Sequence, residues 1–262
     1  MPQRRRLMVE NKNTMLRRHT IDAIFMHWFN AICWTMLLST GVGLINNPVF
    51  QPLGMWWVRI LHAIFGGGAE LLQFHIAVGA VWSMGFLIYG IACFKRITLP
   101  FVKEMLTFSP AADLEWLVKK PLSMIVGPKT MQRLGLNPVI PEQGFYNVGQ
   151  KMFGIPALFG GVIMAVTGWI MTFSQQDLTG QDTVQWAILI HFLTAGLVFA
   201  GLLIHIYMAA IAKGETPAFK SMFTGFVPTD YAASHHKYWY DSVQGATKAA
   251  VPPDDAKKSK KR

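Results

Sequence analysis

Four runs of this chain carry no charged side chain: Ala23 to Val58, Leu71 to Phe94, Met152 to Gln176 and Thr183 to Ala212. Each holds the roughly 20 residues that an α-helix needs to cross the hydrocarbon core of a bilayer. In the first run Asn46, Asn47 and Pro48 end the helix near Ile45, because polar side chains and a missing backbone donor are poorly tolerated in lipid. The pattern predicts transmembrane helices over about 23–45, 74–94, 152–173 and 184–212, and hence an all-α, integral membrane four-helix bundle.

The segments between them are punctuated differently. Trp56 and Trp57 suit the headgroup level, and Arg59 to Phe65 reads as a short interfacial helix broken by Gly66, Gly67 and Gly68. From Lys95 to Lys151 the prolines at 100, 110, 121, 128, 138 and 141 rule out one continuous helix. Ser109 before Pro110 is expected to cap a helix, and Asp113 to Lys120 to form a short amphipathic one with Leu114, Trp116 and Leu117 as apolar contacts, on the membrane or on the protein surface. Ser174 to Asp182 is expected to be a short outer turn. Tyr238, Trp239 and Tyr240 beside Lys237 have an interfacial composition, and the tail from Lys248 to Arg262 is expected to be disordered.

Composition agrees with a membrane protein. Of 262 residues 52% are apolar, with nine Trp, eighteen Phe and a mean hydropathy of +0.31, far from a soluble domain. Loop charge then orients the helices. Six of the 24 basic residues precede the first helix, eight lie between Lys95 and Lys151 and nine follow Ala212, leaving only Arg59 for the other loops. Lys and Arg are retained on the cytoplasmic side, so both termini and the central loop are expected there. The chain divides into a cytoplasmic N-terminus (1–22), the transmembrane region (23–212) and a cytoplasmic C-terminal segment with its tail (213–262). The net charge of +10 reports this asymmetry and implies no nucleic-acid partner. Arg4, Arg5 and Arg6 precede an apolar stretch that starts late, is too long for a signal-peptide core and lacks a cleavage site, so it is expected to stay as an anchor. Cys33 and Cys93 form no C-x-x-C pair, which excludes a disulfide framework, an attached c-type haem and an iron–sulfur cluster.

Histidines are the polar exception within the spans. His191 and His205 are fourteen residues apart, so on a helix they share one face at two depths separated by roughly 21 Å. The topology puts His27 and His205 toward the cytoplasmic side and His75 and His191 toward the outer side. Two imidazoles facing across a bundle supply the axial ligation of a six-coordinate b-type haem, and two such pairs predict two haem b. Zinc or copper needs three or four converging ligands, and no Cys, Asp or Glu accompanies either level. Histidines at depth also serve as helix-to-helix hydrogen-bond donors, which is the alternative for each taken alone. His19, His235 and His236 fall outside the spans and are expected to be interfacial or solvated. His62 competes with His75, since both open an H-x-x-x-G pattern. A span starting at His62 would carry Glu70 and Gln73 deep into lipid, which favours His75.

The chain resembles the cytochrome b (gamma) subunit of respiratory formate dehydrogenases. The likeness is carried by His27-Trp28, Arg59-Ile60-Leu61-His62, Tyr146-Asn147-Val148-Gly149-Gln150-Lys151-Met152, Leu189-Ile190-His191, Leu203-Ile204-His205-Ile206-Tyr207-Met208-Ala209, Lys213-Gly214 and the segment from His235-His236 to Trp239-Tyr240. The resemblance implies a multi-pass subunit of the bacterial inner membrane with two b haems, which receives electrons on the outer side and passes them to menaquinone near the inner haem. It implies an iron–sulfur electron-transfer subunit and a molybdenum or tungsten catalytic subunit as partners, with formate oxidation outside this chain. It also assigns quinone binding to Asn147, Gly149 and Gln150, close to the ligand matching His205. Asn147 is equally suited to cap the third helix. The family's outer ligand belongs to an R-I-L-H motif, here Arg59 to His62, and the loop after Arg96 is longer than the family pattern. A cytochrome b of a hydrogenase or thiosulfate reductase fits the same histidine logic, and a haem-free membrane anchor accounts for the spans alone.

Overall fold

The computed structural model describes residues 14–174, 180–212 and 214–250. Arg4 to Arg6, most of the outer turn predicted at Ser174 to Asp182, Lys213 and the tail beyond Ala250 lie outside the described residues; Lys248 to Ala250, assigned to the tail by sequence, are helical. In chain order the elements are β1 (Met15–Arg17), α1 (Ile21–Leu44), α2 (Met55–Phe65), α3 (Gly68–Ala92), α4 (Leu99–Leu106), α5 (Pro110–Val126), α6 (Pro128–Arg133), α7 (Val148–Ser174), α8 (Gln181–Ile206), α9 (Thr216–Thr224), β2 (Phe226–Pro228), α10 (Thr229–His235) and α11 (Lys237–Ala250). π-helical turns at Phe94–Thr98 and Tyr207–Ile211 continue α3 and α8. Four helices, α1, α3, α7 and α8 with its continuation, are long and apolar enough to cross a membrane.

The second of these begins six residues earlier than its hydropathy predicts. Gly66 adopts φ +91° and donates its amide to the His62 carbonyl at 2.9 Å, which ends α2. Gly67, at φ +148°, turns the chain so that α3 starts at Gly68. Glu70 therefore falls in the first turn, where the helix dipole favours a carboxylate, and His75 stands about two turns inside rather than at the helix start.

The chain forms two compact units, one of which comprises Thr20–Phe101 and Phe153–Ile211. Its helices are joined by indole hydrogen bonds and close approaches, as expected where lipid supplies no hydrophobic drive between helices. Trp82 on α3 donates to Asn30 Oδ1 on α1 at 2.7 Å, and the Asn30 amide donates to the Met26 carbonyl at 2.8 Å. Trp169 on α7 donates to Ser83 Oγ on α3 at 3.2 Å, and Trp57 on α2 to the Ser39 carbonyl on α1 at 3.1 Å. Gly160 on α7 lies against Val198 of α8, where an added Cβ would come within 2.6 Å of a methyl group.

The other unit gathers the segments outside the spanning helices, from Val102 to Met152 with both terminal segments. Strands β1 and β2 pair antiparallel, with Leu16 opposite Val227. Val227, Tyr231 and Ala232 form a small core covered by Leu16, Ala218, Trp239 and Tyr240. Helix α5 is longer than the sequence suggests, since Pro121 is accommodated inside it. Ser109 precedes it but makes no side-chain cap; the Asp113 carboxylate instead accepts the Ser109 amide at 2.8 Å. Trp116, expected among the apolar contacts of a helix on the membrane or the protein surface, is buried and packs over Gly149.

A buried polar cluster stabilises this unit. Arg18 donates from Nη2 to the Phe145 carbonyl at 2.6 Å, with its guanidinium 4.7 Å from the Phe145 ring and 5.3 Å from that of Trp239. Glu215 accepts from Lys120 at 3.1 Å and from the Tyr231 hydroxyl at 2.7 Å. Burial, then the Glu215 charge, pushes the Tyr231 phenol well up. His236 departs from the sequence expectation. It is 1% exposed, not solvated, and its Nδ1 donates to the Gly144 carbonyl at 2.9 Å. Burial and the nearby Arg18 charge push its imidazole down to about 3.

Two outcomes follow from this packing. Gly160→Ala should lower stability by about 1–3 kcal/mol through overpacking. Gly196→Ala, whose methyl meets nothing within 4 Å, should be neutral or stabilising by up to about 1 kcal/mol; thermal unfolding of the detergent-solubilised chain separates the two. The unfolded chain takes up a proton at His236 below its ordinary value of 6.5, which the folded chain refuses until about 3. Stability is therefore full above that ordinary value and falls as the pH drops toward the folded one, by at most about 1.4 kcal/mol per pH unit. His236→Asn, which retains a donor for Gly144, should flatten the acid side of the unfolding-midpoint profile.

Candidate functional site

His75 on α3 and His191 on α8 come together. Their ring centroids are 6.4 Å apart and their planes meet at 70°. Each imidazole is fixed by a threonine from the neighbouring helix. Nδ1 of His75 is 2.8 Å from Thr40 Oγ1 on α1, and Nδ1 of His191 is 2.9 Å from Thr167 Oγ1 on α7. Each hydroxyl already donates its one hydrogen within its own helix, Thr40 to the Met36 carbonyl at 2.8 Å and Thr167 to that of Ile163 at 2.7 Å. The hydroxyl oxygen is thus the acceptor toward the ring, Nδ1 carries the proton, and Nε2 keeps its lone pair.

The residues after these threonines complete the arrangement. A Cβ on Gly41 would lie 3.4 Å from Cε1 of His75, and one on Gly168 would lie 3.6 Å from Cε1 of His191. Thr40-Gly41 and Thr167-Gly168 are the two Thr-Gly dipeptides within the four spanning helices. Sequence reasoning missed both threonines, although the recurrence of that dipeptide in two uncharged runs was a usable signal.

His27 and His205 are within electrostatic reach of each other but are held differently. Nδ1 of His27 is buried and has no hydrogen-bond partner, and the ring meets Trp28 edge-on at 5.2 Å. The His205 ring stacks on Phe153 of α7 at 4.6 Å and 17°. His62 lies on α2, outside the spanning helices, with its ring against Gly68. Of the two outer candidates it is His75 that faces His191.

Asn147, Gly149 and Gln150 start α7 in a reciprocal capping box. The Gln150 amide donates to Asn147 Oδ1 at 2.9 Å, and the Asn147 amide donates to Gln150 Oε1 at 3.0 Å. Both side-chain oxygens are spent on backbone, which leaves both side-chain NH2 groups as donors. The preceding strand of chain is held through three successive carbonyls, of Gln143 by the Tyr238 amide, of Gly144 by His236 and of Phe145 by Arg18.

Paired neutral imidazoles suit one kind of group. Two neutral imidazoles at this ring separation would together hold one metal atom that takes a nitrogen donor from each. Among the described residues no three His, Cys, Asp or Glu side chains gather to hold an ion, so the donor set fits the two axial positions of a haem and not a tetrahedral metal site. The buried Nδ1 of His27 has no hydrogen-bond partner, an orphaned polar atom of the kind that a bound group or an ordered water satisfies.

Comparison with known proteins agrees with this chemistry. Residues 18–225, which include His27, His75, His191 and His205, match the prokaryotic cytochrome b561 family. The chain is 26% identical over 234 residues to the formate dehydrogenase cytochrome b556 subunit of Haemophilus influenzae, covering 88% of this chain and 84% of that one. It is 24% identical over 243 residues to the cytochrome b556(fdo) subunit of Escherichia coli formate dehydrogenase, covering 91% and 98%. With the cytochrome b556(Fdn) subunit of the nitrate-inducible formate dehydrogenase of Escherichia coli it shares 26% identity over 249 residues, covering 90% and 95%. With four membrane-crossing helices and paired intramembrane imidazoles, the chain belongs to the prokaryotic cytochrome b561 family, a family of haem b proteins.

Proposed function

We propose that this chain is the cytochrome b subunit of a respiratory formate dehydrogenase complex in the bacterial inner membrane, with both termini and the 95–151 segment on the cytoplasmic side. The observation that carries the proposal is the His75–His191 pair, with both Nδ1 atoms anchored and both Nε2 atoms left as ligands. His75 and His191 ligate the outer of two b haems, and His27 and His205 the inner. Bound at these positions, the two haems supply one-electron transfer across the membrane. Its similarity to cytochrome b556 subunits of formate dehydrogenases favours formate dehydrogenase over a hydrogenase or thiosulfate reductase. The partners are an iron–sulfur electron-transfer subunit on the outer side and, through it, a molybdenum or tungsten catalytic subunit.

Menaquinone is the acceptor. Asn147 Nδ2 and Gln150 Nε2 donate to a quinone carbonyl, Gly149 lets the Trp116 indole pack closely beside them, and the family pattern adds His205 to this set. Proton uptake from the cytoplasmic side, with electrons arriving from outside, separates charge against roughly 2.3 kcal/mol per charge per 100 mV.

Haem content and the reduced-minus-oxidised spectrum test the ligand assignment. The chain should hold two b haems, with one lost in His75→Ala, one lost in His27→Ala and neither lost in His62→Ala; loss with His62→Ala would move the outer ligand to α2. For the quinone site, Asn147→Asp keeps the acceptor that caps α7 and removes the donor. Quinone reduction should fall roughly 5-fold to 100-fold, the equivalent of one buried hydrogen bond to substrate, with unchanged haem content and thermal stability.

A further inference from the structure

The two histidine pairs are built alike in their ring count and unlike in what lies behind the rings. Behind each outer imidazole stands a buried threonine hydroxyl that accepts the Nδ1 proton, from α1 for His75 and from α7 for His191. Both hydroxyls are turned by the same device, a bond from Oγ1 to the carbonyl four residues back in their own helix. Both are followed by a glycine lying beside the imidazole, where an added Cβ would be in ordinary contact with Cε1. The inner pair has no counterpart. Nδ1 of His27 is buried and unpartnered, and His205 rests on a hydrocarbon ring, with no side-chain hydrogen bond among the described residues.

This difference has an electronic consequence. An imidazole that donates Nδ1–H to an acceptor becomes more basic at Nε2 and a stronger donor to a metal, which stabilises the oxidised state of that metal. An imidazole whose N–H has no acceptor is the weaker donor. Hydrogen bonding to the far side of an iron ligand is one of the levers by which a protein sets a haem potential. We propose that Thr40 and Thr167 are positioning residues that lock both outer ligands in the Nδ1–H tautomer and hold the outer site at a lower reduction potential than the inner site. One-electron transfer from outer to inner pair is then downhill because of side chains that touch neither the haem nor the quinone. The inference rests on the axial ligation proposed above, and it deepens that reading by giving the electron path its direction.

Potentiometric titration of the haem absorbance, on the full chain in complex with its partner subunits, tests it. The component that disappears in His75→Ala identifies the outer haem, and it should titrate below the remaining one in the unsubstituted protein. Thr40→Val and Thr167→Val should each raise the outer component by up to about tenfold in the reduction equilibrium, about 59 mV for one electron, and leave the inner component in place. Thr40→Ser and Thr167→Ser should restore the original potential, and the low-spin resonance of the outer haem should follow the same pattern. Loss of the outer haem in the Val variants with recovery in the Ser variants also supports the proposal, since only the hydroxyl is returned. An inner component below the outer one, equal shifts of both components, no shift with Val, or loss of haem in the Ser variants would each overturn it. A chain without two haems overturns the ligand assignment and this inference together, whereas two haems with unmoved potentials overturn the inference alone.

Discussion

An imidazole inside a bilayer has two nitrogens to satisfy and no water to do it. In this chain the contact on which the rest depends is the bond from Nδ1 to a threonine hydroxyl, at 2.8 Å for His75 and 2.9 Å for His191. It settles the tautomer, orients the ring and leaves a single lone pair aimed away from the threonine. The hydroxyl acts as an acceptor because its own hydrogen is engaged one turn back in its helix. A threonine in a helix interior usually brings little more than a slight bend through such a back-bond. Here that bond decides the polarity of the next one.

The helices around these rings are set by the same economy of polar groups. Lipid is as apolar as leucine, so helices gain little by burying leucine against one another. Instead, indole N–H groups from Trp57, Trp82 and Trp169 each find an acceptor on a different helix, and Gly43, Gly85 and Gly160 let side chains of a neighbour approach to distances no Cβ would allow. Outside the spans the device is electrostatic. Arg18 and His236, with the Tyr238 amide, fasten the carbonyls of residues 143 to 145, so the chain arrives at the start of α7 already positioned for the Asn147–Gln150 box.

Much of this was legible in the sequence because hydropathy and charge are summed over many residues. The four spans belong to that class, whereas the break after Phe65 was legible from the glycine run itself. The histidines were legible because polar rings in uncharged runs stand out. Features that depend on one partner far along the chain were not. Nothing local marks His236 as buried, since its partner is the Gly144 carbonyl 92 residues away. Nothing in α5 foretells that Trp116 covers Gly149, and Ser109 looked like a cap although Asp113 performs the capping from inside the helix. The start of α3 was placed late because Glu70 and Gln73 lower the hydropathy there, while the glycine geometry that begins the helix carries no hydropathy signal.

The threonine bonds also have a meaning for biogenesis. Thr40 and His75 both belong to the first pair of spanning helices, α1 and α3, and Thr167 and His191 both belong to the second, α7 and α8. The facing rings of His75 and His191, by contrast, come one from each half of the chain. During synthesis the first two helices enter the membrane before the third exists, with His75 exposed to lipid and its partner ring not yet made. A hydrogen bond inside the same hairpin shelters that polar edge throughout the wait, and the second hairpin arrives with its own ring sheltered in the same way. Two hairpins whose polar edges are each tolerable in lipid alone can be inserted independently and joined afterwards.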